Sequence, residues 1–403
     1  MPLRRRAWLS REGWYYCGVL AFIVGGAVLR SINLLVVLAG MMIAPLVLNW
    51  RLVMAGLWGL IVTRRLPEQI CAGEPLTVEI DVRNTRPRMA SWLVTIEDWI
   101  EREPLADDAA ALGEASGWNE RLQRWLAHVL GEGERVRGEA LATVIEPRST
   151  VTATYRVVLH RRGKYRFGPL RVGTRFPLGL VVGRFLLPTM AELIVAPRLG
   201  RLTAAWTRLL EADRARDVRR QPQRGYAEGD YYGLRPWQSG DSVRWIHWRA
   251  TAKTGVPTVL QFERQRSRDV ALVLDPWRAA RPTKAGLELV ELSLSLAATA
   301  VADLSSRGHS QLVVAAASRS AQYWAGPASR LFCQEVLAQL ATLDSGDGSQ
   351  LEEALLLARD QSAVGSRIVV VSTRRAPQSL PAEMDVAWID VGQKDLAELF
   401  LLD

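Results

Sequence analysis

Residues 224–253, RGYAEGDYYGLRPWQSGDSVRWIHWRATAK, hold the densest set of chemically capable side chains in the 403-residue sequence. Seven rings (Tyr226, Tyr231, Tyr232, Trp237, Trp245, Trp248 and the imidazole of His247) stand among five basic side chains and three acids. Large rings in that number call for a covering unit, and guanidinium forks suit planar acids and phosphates. Two readings follow. One is an anion- or partner-docking surface built from Arg235, Arg244, Arg249 and Lys253. The plainer one is a solvated motif whose arginines meet carboxylates of a neighbouring domain. Gly240-Asp241 reads as a turn, and residues 243–248 alternate with the period of a strand.

Catalytic patterns are weak elsewhere. The four histidines (128, 160, 247 and 309) form no motif with a Ser or Cys nucleophile. His247, between Ile246 and Trp248, reads as a packed strand residue rather than a base. Gly225-x-x-x-Gly229-Asp230 lacks the Lys-Ser/Thr ending of a phosphate loop. Cys17, Cys71 and Cys333 lie far apart, which argues against a disulfide framework and a zinc site.

The elements around this stretch change character along the chain. From residue 267 onward, buried-strand runs such as VALVL (270–274) and RIVVVS (367–372) alternate with helical segments, which predicts a doubly wound parallel sheet. Ligands of such sheets sit at the carboxyl ends of the strands, and this points to Asp275, Thr373 and the loop 344–349. Before the stretch, residues 58–200 carry short alternating segments (LTVEIDVR, SWLVTIEDWI, TVTATYRVVL) separated by turn residues, the pattern of a β-sandwich. Within it, Trp118, Leu122, Trp125 and Val129 recur at helical spacing and predict an inserted amphipathic helix in about 104–140. Residues 201–266 read as a linker helix followed by the aromatic-basic stretch.

The N-terminus is different again. Uncharged runs at about 13–29 and 31–50 are each near the length that crosses a bilayer, so residues 1–57 are expected to form a transmembrane helical hairpin. Eight of the basic residues and a single acid, Glu12, fall in residues 1–66, so most of the net charge of +9 sits beside these runs. Membrane topology explains that better than a nucleic-acid partner does. Basic residues flank both outer ends, which predicts a main body on the cytoplasmic side of the inner (plasma) membrane. A cleaved signal peptide is the rival, opposed by the second run that follows at once.

The run Leu234-Arg235-Pro236-Trp237-x-x-Gly240-Asp241-x-x-Arg244-x-Ile246-His247-Trp248-Arg249-Ala250-Thr251-Ala252-Lys253 resembles the signature of the domain of unknown function 58 family. Arg64-Arg65-Leu66-Pro67, Arg162-Gly163-x-Tyr165-x-x-Gly168-Pro169 and Pro177-x-Gly179-Leu180 support the likeness. The resemblance implies a membrane-anchored protein with a β-rich middle and a von Willebrand factor A-like α/β domain over 267–403. It implies no established reaction. MoxR-type AAA+ ATPases, often alongside transglutaminase-like membrane proteins, are the implied partners. Domains like von Willebrand factor A end their first strand in Asp-x-Ser-x-Ser and hold Mg²⁺ with further oxygens from later loops. Here that run is Asp275-Pro276-Trp277-Arg278-Ala279, with both hydroxyls lost; Ser349 could substitute in one loop, and Ser372-Thr373 stands where an Asp is expected. No cofactor is therefore expected, Mg²⁺ included, and Asp275 is expected to cap a turn or pair with Arg278 or a signature arginine. The resulting expectation is a non-enzymatic, membrane-anchored scaffold for other proteins. Its rivals are a Mg²⁺-dependent adhesion or chaperone module, and a hydrolase using Asp241 or His247.

Overall fold

A computed structural model of the chain describes residues 5–30, 33–105, 107, 135–211, 231–239, 241–262, 270–280, 283–307, 311–363, 366–377, 386–393 and 395–402. The chain divides into two units. The first comprises residues 1–199 with 280–287 and 334–344; the second comprises 200–279, 288–333 and 345–403.

The first unit begins with a short strand, β1 (Arg6–Leu9), and two apolar helices, α1 (Arg11–Arg30) and α2 (Asn33–Gly56). Both helices are long and apolar enough to cross a membrane. They lie side by side, and the Tyr16 hydroxyl donates to the carbonyl of Met42 on the opposite helix at 2.9 Å. The second helix is longer than the expected span, because residues 51–56 continue it before β2 (Leu60–Arg65) starts. Eight strands follow: β3 (Gln69–Cys71), β4 (Pro75–Asn84), β5 (Ser91–Arg102), β6 (Arg135–Ile145), β7 (Thr150–Val158), β8 (Gly163–Phe167), β9 (Leu170–Thr174) and β10 (Val181–Leu187). A ninth, β11 (Ala191–Ala196), closes the set.

Two sheets result. One runs β1-β10-β9-β5-β8-β11-β3 with β6 on β5, and the other runs β2-β4-β7. Alternation drives them together: Leu76, Val78, Ile80 and Val82 of β4 are all buried while the residues Thr77 and Glu79 between them face out. The β-branched and aromatic inner faces of both sheets share one core. The expected helical insertion needs correction at its end, since residues 135–140 pair with β5 as strand β6. The stripe Trp118, Leu122, Trp125 and Val129 lies outside the described residues.

The sequence reading also missed β1. It pairs antiparallel with β10, Leu9 opposite Val181. Chain direction then has a topological consequence: the segment before α1 and the strand after α2 both belong to the sandwich, so the two helices leave and return on the same side.

In the second unit, β15 (Val270–Asp275), β16 (Gln311–Ala317), β17 (Ala321–Pro327), β18 (Arg367–Ser372) and β19 (Val386–Asp390) form a sheet in the order β17-β16-β15-β18-β19. It is not wholly parallel as expected, because β17 is an antiparallel edge strand that turns back on β16. Its sequence AQYWAGP carries no buried-strand run, since an edge strand need bury only part of itself. Helices α5 (Lys284–Arg307), α6 (Arg330–Thr342) and α7 (Leu351–Gln361) connect these strands, the start of α5 and residues 334–342 of α6 being counted with the first unit. Although α5 is as long as α2 and also long and apolar enough to cross a membrane, 56% of its most apolar window is buried, against 11% for the N-terminal pair. It is a core helix. Ahead of the sheet stand β12 (Arg201–Leu202), which pairs with β20 (Phe400–Leu401), and α3 (Ala204–Glu211). The hairpin β13 (Tyr231–Pro236) and β14 (Thr258–Phe262) frames α4 (Trp248–Thr254), and α8 (Leu396–Leu399) closes the chain.

Candidate functional site

Two clusters of the second unit gather the side chains singled out by sequence. The first is the stretch between β13 and β14. Its clasp is Asp241. Arg235 grips it with both guanidinium nitrogens, Nη1 to Oδ2 at 2.6 Å and Nη2 to Oδ1 at 2.7 Å. The Gln238 amide donates to Oδ2 at 2.9 Å, and Trp237 Nε1 donates to the Asp241 carbonyl at 3.3 Å. A bidentate guanidinium–carboxylate pair fixes orientation as well as distance, so this turn is stiffly held. The expected strand over 243–248 is replaced by a 3₁₀ turn (Val243–Trp245) and the start of α4. The cause is His247, whose Nδ1 accepts from the Ala250 amide at 3.1 Å and so caps α4. Its own amide donates to Thr258 O at 2.8 Å, and Ile246 bridges to Val259. Gly255, at φ +71°, ends the helix in the left-handed conformation.

Asp241 and His247 each brace this stretch, Asp241 through Arg235 and the Gln238 amide and His247 through the Ala250 amide. What remains outward is a surface of Trp237, Arg244, Trp248, Arg249, Ala252 and Lys253. Trp248 is 67% exposed and Trp237 40%, whereas Trp245 and Ile246 are half-buried. Gly240 lies outside the described residues.

The second cluster lies at the carboxyl end of β15, the middle strand. Asp275 sits opposite Ser372 in the parallel register. Ser372 Oγ donates to Asp275 Oδ2 at 2.9 Å, and Arg374 Nε donates to the same oxygen at 3.0 Å. The Arg374 amide returns to Ser372 Oγ at 3.1 Å, its Nη2 reaches Gly348 O at 3.4 Å, and its guanidinium lies 5.6 Å over the Trp277 ring. The partner of Asp275 is therefore Arg374, and the turn-cap, Arg278 and signature-arginine alternatives are set aside. Asp275 is fully buried and Arg374 is 26% exposed. Burial pushes the Asp275 carboxyl above the usual carboxylate range, against the opposing pull of Arg374 and Ser372. Among the described residues its other oxygen, Oδ1, is buried with no hydrogen-bond partner.

The sequence candidates for a metal shell point elsewhere. Thr373 Oγ1 donates to Trp277 O at 2.5 Å. Ser349 donates through both its amide and its hydroxyl to Asp347 Oδ1, and these bonds hold the Asp347 carboxyl below its ordinary value. A hard divalent cation needs about six or more oxygen ligands. Here Asp275 Oδ2 already faces a guanidinium, and the Trp277 and Ala279 side chains carry no oxygen, so the residues present do not fit Mg²⁺. Among the described residues no group of three or more His, Cys, Asp or Glu is placed to hold a metal. Sequence reasoning missed Arg374. The signal for it was a basic residue two positions past a strand that runs beside the strand ending in Asp.

A comparison with characterised proteins finds no match. Among solved structures, the chain is similar to the CARDB domain of the PF1109 protein from Pyrococcus furiosus at 10% identity, covering 34% of this chain and 87% of that one, with a TM-score of 0.18. It is likewise similar to Spo0M, the sporulation control protein from Bacillus subtilis, at 9% identity, covering 45% and 58% with a TM-score of 0.19. Scores of that size carry no inference about fold or function. Residues 233–378, which span both clusters, match the family described as "Protein of unknown function DUF58".

Proposed function

We propose that the protein is a membrane-anchored, non-enzymatic scaffold that holds other proteins at the inner face of the plasma membrane. In this reading α1 and α2 are the anchor and the body is cytoplasmic. The second unit is a von Willebrand factor A-like recognition domain in which Arg374 takes the part of the cation. The observation that carries the reading is the outward surface of Trp237, Arg244, Trp248 and Arg249 on a turn stiffened by the Arg235–Asp241 pair. Exposed Trp and Arg on a preorganised support are the residue types that dominate binding energy at protein interfaces. By family resemblance, MoxR-type AAA+ ATPases are the proposed partners, with transglutaminase-like membrane proteins beside them.

The test uses the full chain in detergent with a purified MoxR-type ATPase encoded by the same genome. Binding is expected, and Arg244→Glu with Arg249→Glu should weaken it by about tenfold or more, because charge reversal at a guanidinium contact costs well over 1.4 kcal/mol. No binding, or equal binding by the doubly substituted chain, would sink the proposal.

A further inference from the structure

The base of the two N-terminal helices is pressed directly into the sandwich. Gly13 stands where a Cβ would lie 2.1 Å from the carbonyl oxygen of Leu180. Asn49 of α2 is fully buried and accepts from the Val181 amide at 3.1 Å, and a Cβ on Gly183 would meet Val53 at 2.5 Å. Arg86 donates to the carbonyls of Ala55 and Gly56 at the end of α2. No stalk separates helix from sheet. Beyond these contacts at Gly13 and Asn49 the helices have residues 14–30 and 33–48 left, which at about 1.5 Å per residue rise roughly 24–26 Å. A hydrocarbon core is about 30 Å thick. Helices of this reach match a bilayer best if the sandwich itself comes down to the lipid, the alternative being a locally thinned membrane.

The loops around that base have the chemistry for it. Thr174 Oγ1 donates to Trp92 O, and the Trp92 ring stacks on Phe176 with centroids 5.6 Å apart. This ties the start of β5 to the loop between β9 and β10, next to Leu180. Trp58, Trp92, Leu93 and Leu178 on this rim are 65%, 45%, 46% and 52% exposed. Arg88 and Arg175 beside them are exposed as well. Indole rings beside arginines are the composition of the headgroup layer, and basic side chains there favour anionic lipid.

We infer that this rim of the sandwich is a lipid-binding surface, seated in the headgroup layer of an anionic bilayer around the foot of the helices. The inference rests on the membrane-anchored reading above. It adds that the sandwich is fixed against the membrane rather than held away from it.

The test places single cysteines carrying an environment-sensitive fluorophore in a full-length chain whose three native cysteines are replaced by alanine, reconstituted in phosphatidylglycerol-containing vesicles. Probes at Leu93→Cys and Leu178→Cys should lose about half their fluorescence to lipids with a nitroxide near the headgroup. A probe at Phe22→Cys should be quenched by mid-chain nitroxides, and one at Glu192→Cys, at the far end of the sheet, by neither. In phosphatidylcholine alone, quenching at Leu93→Cys and Leu178→Cys should fall. Quenching at Phe22→Cys without quenching at Leu93→Cys or Leu178→Cys overturns the inference and leaves the anchor standing; a partner protein would then be the cover for the rim. No quenching at Phe22→Cys overturns both.

Discussion

Asp98 in the sandwich and Asp275 at the end of β15 are each fully buried, each bound by one arginine and one hydroxyl, and each pushed above the usual carboxylate range by burial. Their surroundings differ. Arg64, the partner of Asp98 at 2.6 Å, is 4% exposed, crosses from β2 to β5 and also donates to Phe167 O. Tyr155 Oη takes the second oxygen of Asp98 at 2.7 Å. Both carboxylate oxygens are therefore used, and the pair is sealed inside the core. Arg374 instead keeps a quarter of its side chain in solvent, and Asp275 Oδ1 is left over. The same three kinds of group, a carboxylate, a guanidinium and a hydroxyl, thus build a rivet in one unit and a half-open polar site in the other. The exposure of the cation, and not the burial of the acid, separates the two.

Breaking the two pairs in the same way should show the difference. Asp98→Asn leaves Arg64 charged with no route to water, and a stranded buried charge costs about 3–5 kcal/mol. Asp275→Asn leaves Arg374 free to turn outward, for a loss of about 1 kcal/mol. Thermal unfolding of the full chain in detergent would compare them; equal losses would break the contrast. The supporting glycines sharpen it. A Cβ at position 138 would sit 2.2 Å from the Tyr155 ring, which is packed in the core and holds Asp98. Gly138→Ala should lose about 1–3 kcal/mol through overpacking. At Gly348 the obstacle is the tip of Arg374, at 2.3 Å, which can swing aside. The cost of Gly348→Ala then comes mainly from its φ of +85°, about 1–2 kcal/mol.

Much of the architecture was legible because burial writes itself as periodicity. LTVEIDVR alternates as β4 does, and VALVL and RIVVVS read as strands buried on both faces. The two apolar helices were legible by length alone. What escaped was set by partners distant in sequence. Strand β1 is four residues long and exists because β10, some 175 residues away, offers an edge. The strand period of 243–248 was overridden by the His247 cap, a local bond that a two-residue alternation cannot reveal. At the carboxyl end of the sheet, the sequence disclosed the missing hydroxyls around Asp275 but not the arginine 99 residues on that answers it.

That arginine also sets a pH dependence. The Asp275 carboxyl has a folded value above its reference of 3.8, so the folded state holds its proton more tightly than the unfolded state does. The resulting stability is complete below 3.8 and is lost as pH rises through the folded value. Arg374 opposes this shift. In Arg374→Ala the opposition is gone, the folded value rises further, and the window of lost stability extends upward. Arg374→Ala should therefore be clearly less stable than the parent at about pH 8, by about 1–2 kcal/mol, with the gap narrowing toward about pH 5. A gap that stays constant or widens on acidification would show that Asp275 does not respond to this cation.

The smallest expected effect separates an arginine-filled site from a metal site. Ser349 is exposed, and its hydroxyl and amide both serve Asp347 Oδ1 rather than Asp275. Ser349→Ala should leave the melting temperature of the second unit unchanged while the Asp347 carboxyl moves up toward its ordinary value. Mg²⁺ should stabilise neither chain, because an ion that binds the folded state raises its stability in proportion to occupancy, and Asp275 Oδ2 already accepts from Arg374 Nε and Ser372 Oγ. The metal-dependent alternative requires the opposite pair of results: a melting temperature that climbs with Mg²⁺ in the parent and falls back in Ser349→Ala. Adding Mg²⁺ to Arg374→Ala completes the comparison, since only there is the carboxylate released; stabilisation confined to that variant would mean that the guanidinium, and not the shape of the loops, keeps a cation out.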